Sequence, residues 1–320
     1  MTLIHGTCVA LNGVTVLLRG PSGSGKSDLA VRLGKRIESQ GRRAVVINAD
    51  SAQVYSDLRV LSARPSVNEM GGIEHRLFGT WDGATPCSAA DWAAAAKREI
   101  AQLHSEGAVP ILCGGTGLYM RTLLEGIAPV PEIDPRIRAD VRSLEQASAR
   151  AALEIEDPEA AARLAPADIA RTTRALEVVR SSGRTLKEWQ NRKTGGIGDQ
   201  VSLYPLLLLP EREWLYERCD RRFIMMLDGG AIEEVETLLA RKLDPSLPVM
   251  RAIGVPEIAG LVQGDLSRDQ AIVSGQRATR QYAKRQYTWF RHQPPGSWLR
   301  DDNKSIEEYD IFVSLLRALS

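Results

Sequence analysis

Short apolar runs alternate with helical periods through the first third of the chain. Val14–Leu18 is apolar and partly β-branched, and a glycine-rich turn follows it. From Ser27 to Ile37, the residues Leu29, Ala30, Leu33 and Ile37 recur at helical spacing. Ala44–Asn48 reads as a buried strand, Ala89–His104 as an alanine-rich helix, and Val109–Cys113 as a further buried strand. Continuous apolar strands between helices predict an α/β fold, a parallel sheet with helices on both faces.

The pattern changes after Arg121. Pro129, Pro131 and Pro135 punctuate a linker, and Arg136 to Trp189 is rich in Ala, Arg, Glu and Leu at helical period. Breaks are expected at Asp157-Pro158, Ala165-Pro166 and Ser182-Gly183. This stretch predicts an α-helical insertion. Leu206–Leu209 reads as a strand returning to the core, with helices over Glu211–Leu227, Ala231–Lys242 and Gln270–Arg291. The expected organisation is a first core part over 1–121, an insertion over 122–198, and core continuation with basic helices over 199–320.

Composition changes this picture little. The 320 residues suit about two domains. A hydrophobic share of 43% and a charged share of 25% are ordinary for a globular chain. The net charge of +1 announces no polyanion partner, so any such partner must be met by local clusters. Cys8, Cys87, Cys113 and Cys219 form no CxxC pair, which argues against a zinc site or a disulfide framework and for reduced thiols. No apolar run approaches the roughly 20 residues of a membrane span, and Met1–Gly6 has no secretory pattern. The expectation is a cytoplasmic protein.

Candidate chemistry begins at the glycine-rich turn. Gly20, Pro21, Ser22, Gly23, Ser24, Gly25, Lys26 and Ser27 match G-x-x-x-x-G-K-[ST] in full, between a predicted strand and a predicted helix. Such a loop turns successive N–H groups toward an anion, and the helix N-terminus adds partial positive charge. Lys26 supplies an ammonium, and the Ser27 hydroxyl is placed for Mg²⁺. The motif specifies a di- or triphosphate, not its hydrolysis. Strand Val109–Cys113 ends in Gly114-Gly115-Thr116 with no carboxylate to position water, whereas Ala44–Asn48 runs into Asp50 and Ser51. Asp50 could serve a metal or act as a base, and spacing alone leaves both open. Between Gln276 and His292 five Lys or Arg residues occur without an acid. Arg277, Arg280, Lys284, Tyr287 and Arg291 share one helical face, and Tyr282 and Trp289 another. The basic face suits nucleic-acid phosphates, while the aromatic pair reads rather as core.

In order along the chain, further stretches join the P-loop. They are Asn48 to Tyr55, Ser62 to Pro65, Gly114 to Tyr119, Leu124 to Gly126 and Arg174 to Glu177. Arg222-Phe223 with Met226, Ile253-Gly254, and Ala278 to Arg291 complete the series. Together they resemble the tRNA dimethylallyltransferase family over roughly residues 34 to 300. The resemblance implies transfer of a dimethylallyl group from its diphosphate to N6 of the adenosine 3′-adjacent to the tRNA anticodon, with Mg²⁺. It implies Asp50 as general base, with Thr116 and Arg222 at the diphosphate. It also implies tRNA contacts from Asp50, Ser51, Ala52, Gln53 and Thr116, from Ala170, Arg171, Thr172, Thr173 and Arg174, and from Arg251. Lys284, Arg285, Gln286, Thr288, Trp289 and Arg291 complete that set, and the enzyme is expected to act as a monomer.

Two departures stand out. The P-loop has Ser22-Gly23 where the family usually has Thr-Ala, and Val255-Pro256 replaces the aromatic residue usual after Ile253-Gly254. In addition, Ile4–Leu11 and Leu17–Ala30 resemble HPr kinase/phosphorylase, a P-loop protein kinase. Three alternatives therefore stand: a P-loop phosphotransferase, an isopentenyltransferase acting on a free adenine nucleotide, and an RNA-binding protein without turnover.

Overall fold

The computed structural model describes residues 13–301 and Arg317, so the expectation for Ile4–Leu11 lies outside the described residues. The described chain divides into two compact units, one running to Leu123 and resuming at Gly198, the other comprising Leu124–Ile197.

The first unit is built on a six-stranded sheet. It opens with β1 (Val14–Arg19), α1 (Lys26–Glu38), β2 (Ala44–Asn48), the single-turn α2 (Val67–Met70), β3 (Glu74–Arg76), α3 (Ala89–Ser105), β4 (Val109–Gly114) and α4 (Gly117–Glu125). The second unit contributes β5 (Gly126–Ile127), α5 (Pro135–Ser143), α6 (Gln146–Glu156), α7 (Pro158–Arg163), α8 (Ile169–Ser182), α9 (Leu186–Gln190) and β6 (Thr194–Gly195). The chain then returns through β7 (Ser202–Leu208), α10 (Arg212–Asp228), α11 (Ala231–Ala240), α12 (Val255–Gln263), α13 (Arg268–His292) and β8 (Leu299–Asp301).

The sheet order is β3-β2-β4-β1-β7-β8, and every pairing is parallel. Strands β2 and β4 are buried along their whole length, as parallel strands covered on both faces must be. Val16 and Leu18 of β1 point to the face covered by Leu29, Leu33 and Ile37 of α1. Thr15, Leu17 and Arg19 therefore point to the opposite face. There Trp92 of α3 is fully buried, donates its indole N–H to Asn48 O at 2.8 Å, and stacks on Tyr119 at 4.6 Å.

The expected core strands and long helices are present, with ends shifted by a residue or two, except that β7 begins at Ser202 and not at Leu206. Several elements were not foreseen, among them α2, α4, β5 and β6. β3 reads Glu-His-Arg and β8 Leu-Arg-Asp, short edge strands without an apolar run. α12 begins Val255-Pro256, where proline occupies the first turn instead of breaking the helix.

In the second unit, Val141, Leu153 and Leu176 join Ala149, Ala160, Ala161 and Ala175 in a small core of its own. Asp157 ends α6 and caps α7, accepting the Ala160 N–H at 3.0 Å, and Gly183 ends α8 in the left-handed region.

Candidate active site

Strands β2, β4 and β1 are neighbours, so the loops leaving their C-terminal ends emerge side by side. These loops are the P-loop after Arg19, Asp50-Ser51 after Asn48, and Gly115-Thr116 after Gly114. Gly23 and Gly25 both take φ of 88°, a left-handed conformation that suits glycine and curls the P-loop. Lys26 Nζ reaches back to Pro21 O at 3.3 Å. Burial lowers the Lys26 ammonium below the ordinary lysine range and nearby Arg222 adds to this, while Cys113 and Asp50 oppose it. Ser24 Oγ is buried without a hydrogen-bond partner, and burial pushes the Cys113 thiol up to about 11.

Asp50 is held by a local turn. Its N–H donates to Asn48 Oδ1 at 2.8 Å, and its Oδ1 accepts the Ala52 N–H at 3.0 Å. Asn48 is fully buried and spans to Leu77 O at 3.0 Å, so the turn is anchored to the sheet. Thr116 accepts the Ser51 N–H at 2.9 Å and lies 3.1 Å from the Ser51 hydroxyl. Tyr282 lines the cavity beside Asp50, and burial raises its pKa, so it remains neutral. Further out, Glu234 of α11 accepts the N–H groups of Arg59, Val60 and Leu61 at 2.5, 2.7 and 2.9 Å, fixing the end of the Asp50 loop.

Two cavities meet here. One, of about 390 Å³, is lined by the P-loop residues Ser22, Gly23, Gly25, Lys26 and Ser27 with Arg218, His75 and Glu69. The other, of about 350 Å³, has apolar walls from Leu58, Leu61, Phe223, Met226 and Ile253, and Arg251, Tyr282 and Arg285 also border it. Ser22, Asp50, Ser62 and Arg222 line both. Arg222 donates to Ser22 Oγ, and burial lowers its pKa although Cys219 and Asp50 oppose the shift.

The structure thus brings Asp50, Arg222, Arg251, Arg285 and the P-loop together, and it reassigns several other residues. Gln286 is buried and spends its amide on the backbone, accepting Ser22 N–H and donating to Gly115 O, both at 2.9 Å. Trp289 packs on Gly117 and lies 4.7 Å over the buried Arg19 guanidinium, so it is no open stacking platform. Gln53 donates to Ser62 O at 3.0 Å and Ala63 O at 2.9 Å, and Thr172 is fully buried. Gln286 and Thr172 are thus buried, and Gln53 and Trp289, half-buried, are engaged within the protein. Arg280 pairs with Asp220 at 2.6 Å and Tyr287 packs into the core, which narrows the basic face of α13. Lys284, Arg285, Thr288 and Arg291 are exposed. In the second unit Ala170 and Arg171 are exposed and Thr173 and Arg174 half-buried, with Arg171 paired to Asp168 at 2.7 Å. Sequence reading missed Tyr282 as a cavity residue. Its signal was there, because Tyr282, Gln286 and Trp289 recur at four and three residues on one helical stripe.

The P-loop, Asp50 and Arg222 converge on one pair of cavities, as the site of a P-loop group transferase requires. Residues 53–293 match the family described as IPP transferase. The chain is 68% identical over 301 residues to the tRNA dimethylallyltransferase of Erythrobacter litoralis, covering 94% of this chain and 95% of the relative. It is 50% identical to that of Zymomonas mobilis, over 95% of this chain and 96% of the relative. The solved tRNA isopentenylpyrophosphate transferase of Bacillus halodurans superposes with a TM-score of 0.66 at 29% identity, covering 96% of this chain and 97% of that one. A eukaryotic dimethylallyltransferase acting on tRNA superposes with a TM-score of 0.74 at 27% identity, over 87% and 70%. The chain belongs to the IPP transferase family.

Proposed function

We propose that this enzyme transfers a dimethylallyl group from dimethylallyl diphosphate to N6 of the adenosine 3′-adjacent to the anticodon of tRNA, releasing diphosphate. The observation that carries this reading is the junction of the two cavities at Ser22, Asp50 and Arg222. A diphosphate in the cradle has its five-carbon tail beside apolar walls, and Asp50 stands where donor and acceptor meet. The activity named for the curated relatives supports the same reaction.

The adenine enters the apolar cavity after leaving its stack, at a cost of a few kcal/mol that is smaller in a loop than in a duplex. The N6 lone pair attacks C1 of the dimethylallyl group. The C1–O bond breaks, and its electron pair leaves with the diphosphate. Asp50 accepts the N6 proton as the new bond forms. Lys26, Arg222 and the P-loop N–H groups meet the charge that develops on the leaving group. Tyr282, neutral, forms part of the wall of the cavity that Asp50 lines.

The donor set fits Mg²⁺ carried on a diphosphate. The Ser27 hydroxyl lies in the cradle, and among the described residues no cluster of three or more metal-ligating side chains forms an all-protein cage. Magnesium commonly takes one or two protein oxygens plus phosphates and water. Ser27 would hold it, and it would neutralise phosphate charge. Lys284, Arg285, Thr288 and Arg291 are exposed for RNA phosphates, as is Arg171 in the second unit. No helix among the described residues is long and apolar enough to cross a membrane.

The test is transfer of labelled dimethylallyl diphosphate to unmodified tRNA with Mg²⁺, beside an Asp50→Ala control and a free-AMP acceptor. Transfer to tRNA that disappears in the control is the expected result. Labelling of AMP alone, or phosphoryl transfer from ATP, would replace this reading.

A further inference from the structure

Gln286 sits in the basic segment expected to touch RNA, yet its side chain is buried and both ends of its amide are occupied inside the protein. Oε1 accepts the Ser22 N–H and Nε2 donates to the Gly115 carbonyl, each at 2.9 Å. Only this orientation satisfies both contacts, because a flipped amide would set donor against donor and acceptor against acceptor. We propose that Gln286 is a positioning residue for the diphosphate: it pins the P-loop to the Gly114–Thr116 turn, so the donor cradle has its shape before substrate arrives. This rests on the cradle being the donor site, as argued above.

Three further observations support the assignment. Ser22 is gripped from two sides, since its N–H goes to Gln286 while its hydroxyl takes Arg222. Gly115 leaves no slack, because a Cβ there would lie 2.3 Å from Gln286 Nε2 and 3.4 Å from Asp50 Oδ2. The contact therefore sets the spacing of the cradle from the base as well. Lastly, α13 sorts its residues by side: Gln286 and Trp289 face the glycine loops and Tyr282 the apolar cavity, while Lys284, Arg285, Thr288 and Arg291 are exposed. One helix holds the donor loop with its inner stripe and offers charge to an RNA with its outer one.

The distinguishing consequence is that Gln286 governs donor affinity and leaves RNA affinity alone. Two substitutions test it. Gln286→Glu keeps the acceptor for Ser22 but sets an anion against the Gly115 carbonyl, and Gly115→Ala crowds the amide from the other side. KM for dimethylallyl diphosphate, the calorimetric Kd for inorganic pyrophosphate with Mg²⁺, and the Kd for tRNA are measured on each. Leaving a buried polar group unpaired predicts a rise of about 10- to 100-fold in the first two, with tRNA affinity unchanged. Lys284→Glu is expected to reverse the pattern. Unchanged donor constants, or a matching loss of RNA affinity, would overturn the assignment. Should neither variant fold, amide exchange in the wild-type enzyme decides: the Ser22 N–H is expected to exchange slowly without ligand, and fast exchange rejects the clamp. A wild type that binds pyrophosphate but transfers nothing to tRNA would instead remove the prenyl-transfer reading and leave the clamp standing.

Discussion

The two cavities that meet at Arg222 are made in different ways. The phosphate cradle has one contiguous stretch at its centre, Ser22 to Ser27 with the Lys26 ammonium, and residues between Asp50 and Pro65, Glu69, His75 and α10 close it. The apolar chamber is assembled from distant segments: the loop after Asp50, Cys87, α10, the turn before α12, and α13. The P-loop segment depends on φ and ψ, since Gly23 and Gly25 take left-handed values there. A side-chain-built site depends on every element that brings a wall to it, and each wall can be altered singly.

Substitutions can separate the two. Asp50→Ala should have the largest effect, lowering the transfer rate by about 10² to 10⁴ in single-turnover assays, because a positioned base is worth that much. Pyrophosphate affinity should survive it, and a parallel loss would show that the carboxylate belongs to the cradle. Lys26→Met should weaken pyrophosphate binding by about 10- to 150-fold, the range for a hydrogen bond to a charged group, while tRNA binding is retained. Met226→Ala should leave pyrophosphate binding untouched and lower kcat/KM by about tenfold, through lost apolar contact with the allyl group. Trp92→Phe should destabilise the fold by about 1–3 kcal/mol in denaturant titrations, since Asn48 O loses its buried donor.

The smallest effect concerns acid. Burial holds His75 and His104 below the ordinary value of 6.5, against the opposing pull of hydrogen bonds to Ile73 O and Val14 O. The unfolded chain therefore takes up these protons first. Stability should be constant above about pH 6.5 and decline as pH falls toward the folded values. His75 borders the cradle and His104 does not, so His104→Gln should soften the decline without altering pyrophosphate binding.

The same contrast explains what could be read from residues alone. Val14–Leu18, Ala44–Asn48 and Val109–Cys113 announce themselves because strands covered on both faces must be apolar throughout. The P-loop is legible because its chemistry lies in consecutive glycines. β3 and β8 carry no such mark, since an edge strand of three residues satisfies its pairing with any side chains. The directions of Gln286 and Trp289 were hidden for another reason. A basic, aromatic helix reads the same whichever stripe turns inward, and only the glycines at 115 and 117, distant in sequence, reveal which does.

The carboxylate of Glu234, closed around three successive N–H groups of the Asp50 loop, has a consequence for how the enzyme fails. That loop is tied to α11 through one side chain, whereas the sheet beneath is knit by five parallel pairings. On warming, the acceptor wall should come loose while the strands are still paired. Catalysis would then fade at a lower temperature than the far-ultraviolet signal, and trimming Glu234 to glutamine should widen the interval between the two.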